Sequence, residues 1–261
     1  KDGNTYVVNK EYDIEDLINE PENYYLRLNP DRPYWAKGDL DREHVLNFKT
    51  EKDGVAYDLN LTLFDITRGK TLGDGTYEIG DNEIGMYLLI PHARVKGFVS
   101  INGDSVDVRG TAYMDHIYQN NLSTKIIDKS YRIKTGDDKE GFFLHFITLK
   151  NGEKNVPIGY GIKYQNGHDA LLTPSQITSR KNARVRGVSL DHHLVVNPFQ
   201  MKPMDIVIDK HLNTYSIMDE LSGVQKFFAK RFIGGELIEF NGTVTINSDQ
   251  AGYFYYMVAD S

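Results

Sequence analysis

The sequence predicts an all-β protein with few, short helices, and three observations carry that expectation. Apolar and polar residues alternate at period two in many short segments and at helical period in few. Strand-prone aromatics are abundant, with 17 Tyr and 12 Phe in 261 residues. Turn formers such as Asn-Gly, Gly-Asp-Asp and Pro separate the alternating runs, a spacing typical of antiparallel sandwiches and barrels.

Taken in order, the first element is a helical candidate over Ile14–Asn19, introduced by Asp13. Tyr57, Leu59, Leu61 and Leu63 then alternate with Ala56, Asp58, Asn60 and Thr62, which predicts a half-buried strand with one wet face. Asn102-Gly103 joins the alternating runs Ala93–Ile101 and Ser105–Met114 and predicts a type I′ hairpin, because both residues accept positive φ. Further strands are expected at Phe142–Leu149, Ile158–Tyr164, Val185–Val196, Asp205–Ile208, Thr214–Asp219, Leu237–Ile246 and Gly252–Val258. Over Gly223–Phe232, Val224, Phe227, Phe228 and Phe232 fall at helical spacing, with a strand as the competing reading. The length suits one large all-β unit or two lobes of roughly 120 residues each. The polar stretch Thr135–Glu140 marks the expected boundary, giving lobes 1–140 and 141–261, with Leu171–Ser175 as the other place for it.

Composition removes several function classes. A formal net charge of −7 without a broad basic surface argues against nucleic acid as a partner. The absence of Cys excludes disulfides, thiolate zinc sites and cysteine nucleophiles. Eight scattered His do not form a metal motif, since the adjacent His192 and His193 point to opposite faces of a strand; no metal and no cofactor is expected. No dinucleotide or Walker cradle and no Gly-x-Ser-x-Gly elbow is present. The longest apolar run, Met86–Ile90, is far below the ~18 residues of a membrane span, so a soluble chain without a transmembrane segment is expected. The chain begins at Lys1, and removal of an export signal is the favoured explanation, which would place it in the periplasm or outside the cell.

The candidate chemistry lies in Gly110-Thr111-Ala112-Tyr113-Met114-Asp115-His116. A carboxylate beside an imidazole, with a phenol two residues earlier, can protonate an alkene or enol. On an ideal strand Arg109, Tyr113 and Asp115 share one face while His116 takes the other, so Asp115 and His116 enter one cavity only through a bulge. The alternative is that Asp115 and His116 end the strand with hydrogen bonds to loop backbone. Phe142, Phe143, Phe146, Tyr160, Tyr164 and Tyr253–Tyr256 either line a cavity or form ordinary strand core. Arg180, Lys181, Arg184 and Arg186 form one basic cluster, read as a charged, solvated edge strand or as a site for an acidic headgroup.

The run IPHARVKGFVSINGDSVDVRGTAYMDHIYQN, Ile90 to Asn120, resembles a lipocalin-like superfamily that includes carotenoid 1,2-hydratases (hydroxyneurosporene synthases), AttH-like bacterial proteins and a group of survival factors. The tail FNGTVTINSDQAGYFYYMVADS, Phe240 to Ser261, is similar to the closing hairpin of the same group. The resemblance implies two lipocalin-like antiparallel β lobes packed together, holding an apolar small molecule, a lipid, isoprenoid or similar metabolite, in a β-barrel cavity. It makes Asp115 the proton donor of a hydratase, isomerase or cyclase, with His116 and Tyr113 as orienting partners. Where an Asn and then a Trp commonly follow Asp-His in the hydratases, this chain has Ile117 and Tyr118, and its single Trp is Trp35. Tyr118, Arg109, Phe146, Tyr160 and Trp35 are the expected ligand contacts. Carrier and enzyme remain alternatives at this point.

Overall fold

The computed structural model describes residues 6, 8, 13–20, 25–28, 34–137, 139–153, 155–165, 168–199 and 202–260. It is 72% strand and 8% helix, all sheets antiparallel, as the alternation predicts. The strands are β1 (Leu17–Glu20), β2 (Tyr25–Leu28), β3 (Tyr34–Asp39), β4 (Glu43–Lys52), β5 (Val55–Thr67), β6 (Thr76–Ile79), β7 (Asn82–Ile101) and β8 (Asp104–Gln119). After the short helix α1 (Ser123–Ile126) come β9 (Ile127–Gly136), β10 (Glu140–Leu149), β11 (Ile158–Gln165), β12 (His168–Leu172), β13 (Pro174–Val185), β14 (Val188–Pro198) and β15 (Met204–Tyr215). Helix α2 (Gly223–Ile233), β16 (Glu236–Ile246) and β17 (Gln250–Asp260) complete the described chain.

The chain forms two compact units that interleave in sequence, residues 1–68 with 92–113, and residues 69–91 with 114–261. The polar stretch Thr135–Glu140 lies at the turn of the β9–β10 hairpin.

In the first unit the strands run β1-β2-β3-β4-β5-β7, with β8 paired to β7. Its hairpin turns at Asn102-Gly103 with φ of 53° and 83°, the positive pair a primed turn demands. Register sorts the side chains cleanly. Leu26, Ala36, Leu46 and Leu61 form one cross-strand row, and Tyr34, Phe48, Leu59 and Val99 form the next. The opposite face carries Asn47 and Asn60, hydrogen-bonded at 3.3 Å, and the Lys49–Asp58 ion pair at 3.5 Å.

In the second unit nine strands run β12-β11-β10-β9-β17-β16-β15-β14-β13. Its two edge strands are joined in sequence through Thr173 alone, and one face of all of these strands but β11 feeds a single apolar cluster. The sheet therefore curls into an open barrel around that cluster, its edge strands β12 and β13 not paired with each other. Inside, Tyr131 stacks between Phe146 and Tyr256 at 4.6 and 4.5 Å between ring centroids. A second cluster packs Ile84, Met86 and Leu88 of β7 on Phe143, Ile147, Tyr160 and Ile162, which belong to the outer face of β10 and β11.

Three local expectations differ from what is observed. Ile14–Asn19 is a single 3-10 turn, Ile14–Asp16, followed by β1; a helix this short lacks the length to propagate. Val185–Val196 is broken by a turn at Arg186-Gly187, with φ of 52° and 86°. Thr214–Asp219 leaves the strand after Tyr215, where the Ser216 side chain accepts from the Met218 amide at 3.2 Å and starts a 3-10 turn.

Candidate functional site

Strand β8 enters the second unit at Met114, and its alternation decides what Asp115 can reach. Ile117 joins the buried cluster on the inner side, so Asp115, two residues earlier, points the same way. His116 and Tyr118 stand on the other side, exposed, with Tyr87 at 6.2 and 6.1 Å between ring centroids. The Tyr118 hydroxyl donates to Glu83 at 2.6 Å, and its ring lies over Gly85, where any Cβ would collide with it. Asp115 and His116 thus do not act on one space.

The imidazole that meets Asp115 is His145 of β10. Its Nδ1 lies 3.1 Å from Asp115 Oδ2, and its Nε2 lies 3.1 Å from Ser130 Oγ. Arg132 Nε donates to the same Asp115 oxygen at 2.8 Å, and its guanidinium lies 5.0 Å from the Tyr255 ring. Register explains the assembly: Tyr255, Arg132, His145 and Tyr160 are directly paired across β17, β9, β10 and β11, and so lie in one row on the barrel's outer face. Asp115 caps that row.

Burial would raise the Asp115 carboxyl, but the hydrogen bond from His145 and the Arg132 charge outweigh it and hold the group at about 2. Burial dominates at His145 and lowers it to about 4. At neutral pH the pair is therefore a carboxylate and a neutral imidazole, whose Nδ1–H donates to Asp115 and whose Nε2 accepts from Ser130. Lys134, two residues beyond Arg132 on the same face, is pulled down by burial to about 8. In this array Asp115 is a hydrogen-bond acceptor and a charge partner.

The remaining expected contacts are dispersed. Tyr113 and Arg109 are exposed on the part of β8 that belongs to the first unit. Trp35 stands on the Asn47–Asn60 side of its sheet, away from the leucine row. Phe146 is fully buried inside the barrel, while Tyr160 projects outward, its hydroxyl accepting from the Leu88 amide at 3.0 Å and donating to the Met86 carbonyl at 3.2 Å. Sequence reasoning missed Ser130, Arg132, Lys134 and His145. The first three alternate with Tyr131 and Ile133, a period-two signal that was there to read; His145 has no such signal among eight histidines.

The barrel has one further polar feature. A cavity of about 380 Å³ opens at the end of β9 and β10, lined among others by Lys129, Tyr131, Leu149, Ile177 and Asp191. Asp191 accepts from Tyr131, from Tyr256 at 3.1 Å and from Lys129 at 2.8 Å.

No protein-family model matches the sequence, and no curated protein matches it. Solved structures do. A putative AttH from Nitrosomonas europaea superposes with a TM-score of 0.61 at 18% identity, over 95% of this chain and 73% of its own. CghA with Sch210972 superposes with a TM-score of 0.57 at 8% identity, over 90% and 70%. Kievitone hydratase from Nectria haematococca gives 0.49 at 14% identity, over 83% and 65%. The chain shares the all-β, lipocalin-like fold of the putative AttH.

Proposed function

We propose that this protein holds an apolar small molecule, a lipid, an isoprenoid or a metabolite of like character, against the apolar face of its first unit. One observation carries the reading. Leu26, Leu46, Leu61, Tyr34, Phe48, Leu59 and Val99 form a continuous apolar face, yet each is only half-buried. Full burial of such a side chain is worth roughly 1.5–3 kcal/mol, so a ligand covering several of them gains affinity without new polar contacts. In the second unit the stacked rings of Phe146, Tyr131 and Tyr256 occupy the interior, beside the cavity that Asp191 and Lys129 line with charge. Incubation with a lipid extract followed by native mass spectrometry should reveal a retained ligand, and Leu61→Asp should release it. Retention by that variant equal to the parent would refute this placement.

A second reading, hydratase, isomerase or cyclase chemistry around Asp115, draws on the Ser130–His145–Asp115–Arg132 array. A carboxyl held at about 2 is ionised at neutral pH, so in this reading Asp115 orients the substrate or accepts a proton. Turnover of a polyene or enol substrate that is unchanged by Asp115→Asn and by His145→Gln would refute it.

A further inference from the structure

Helix α2 wears its amphipathic character inside out. Its polar side is pinned to the barrel: Lys226 and Lys230 place their ammonium groups 3.3 and 2.5 Å from Glu236, which is 3% exposed, and Lys226 also lies 3.7 Å from Asp219. Both ends are fixed. Ser222 and Gln225 form a capping box, Gly234 closes the helix at φ 75°, and the Ile233 carbonyl accepts from Thr124. At 3.6 residues per turn, Val224, Phe227, Phe228, Arg231 and Phe232 span an arc of about 140° that faces away from Lys226 and Lys230. The four apolar members of that arc are 70%, 62%, 64% and 85% exposed.

Two features say what covers this face. Arg231 sits in the middle of the arc, exposed, with no ion pair among the described residues. A dry protein groove would bury that guanidinium without a partner, whereas a bilayer interface supplies hydrocarbon for the rings and phosphate at the level of the charge. The neighbouring surface is basic as well. Asp219 also accepts from both terminal nitrogens of Arg186, at 2.8 and 2.5 Å, tying the tip of the β13–β14 hairpin to α2. From that tip β13 presents Arg184, Lys181 and Arg180, all exposed, of which Lys181 and Arg184 have no ion pair among the described residues. In a chain of formal net charge −7, this is a local reversal of sign.

We propose that α2 docks the protein on an anionic lipid surface, laying Val224, Phe227, Phe228 and Phe232 into the interface while Arg231 and the basic residues of β13 face lipid phosphates. The test is cosedimentation of the full chain with vesicles of phosphatidylcholine alone and of phosphatidylcholine with phosphatidylserine. Binding should favour the anionic vesicles and weaken with added salt. Phe228→Ser with Phe232→Ser should lower the partition about tenfold or more, since two rings leave the membrane, while melting temperature and uptake of apolar dye stay unchanged. Lys181→Glu with Arg184→Glu should weaken binding and flatten its salt dependence. Failure to sediment with anionic vesicles, or equal sedimentation of the two-serine variant, overturns the proposal. So does a parent dimer in sedimentation velocity that the serine variant turns into a monomer, because the face would then serve a second copy of the chain.

Discussion

The two units use the same alternation to opposite ends. In the second unit the inward residues of the curled sheet meet each other, and Phe146, Phe240 and Tyr256 are almost wholly buried. In the first unit an equally regular face, Leu46, Leu59 and Leu61 with Tyr34 and Phe48, stays half-open. Of the buried apolar side chains among the described residues, only Leu28, Ala36, Leu63 and Ala93 belong to the first unit. Alternation thus reports which face of a strand is apolar and nothing about what covers it. Curling of the sheet supplies the cover in the barrel. A ligand is the proposed cover in the open sheet.

The largest expected effect tests this contrast directly. Phe146→Ala should cost about 3–5 kcal/mol, because a filled interior cannot collapse around the lost ring, whereas Leu61→Ala should cost about 1 kcal/mol or less. Equal losses in chemical denaturation would mean that the two faces are packed alike.

The contrast sharpens on the charges. They lie on the outer face of the barrel, and acid should find them. Unfolded His145 takes a proton below its ordinary 6.5 and folded His145 only near 4, so stability falls as pH drops through that window. Asp115, ordinarily at 3.8 and held at about 2, adds stability above 3.8 that is lost as pH falls toward 2, on the order of 2 kcal/mol. Asp115→Asn should abolish this last stage of acid loss; an unchanged acid limb in urea titrations would show that Arg132 and His145 do not hold the carboxylate.

Lys134 has the opposite sign. Its ammonium is retained in the fold only up to about 8 against an ordinary 10.5, so its burial costs stability below pH 8 and that cost fades as pH rises to 10.5. Lys134→Met should therefore flatten the rise in stability between pH 8 and pH 10.5. An unchanged slope over that window in urea titrations would show that burial does not hold the ammonium down.

Much of this fold is legible in the residues, and the exceptions have local causes. Tyr57 to Leu63 announce their apolar face, and Asn102-Gly103 announces its turn. Arg186-Gly187 carries the same kind of signal, masked by the apolar residues on both sides. The candidate site is legible by halves. Strand parity separates Asp115 from His116, but the partners of Asp115 lie 17 and 30 residues further on, and only the register of β9 against β10 brings them together. The inverted helix α2 is legible as a helix; its orientation comes from Glu236 and Asp219, which no periodicity reveals.

The most direct test of the open sheet as a ligand surface is fluorescence titration with N-phenyl-1-naphthylamine, comparing the parent, Leu61→Glu and Phe146→Leu. The account predicts saturable binding by the parent, retained binding by the Phe146 variant, and loss of binding when a carboxylate stands in the leucine row. Undiminished binding by Leu61→Glu, or a loss that follows Phe146→Leu instead, would contradict it.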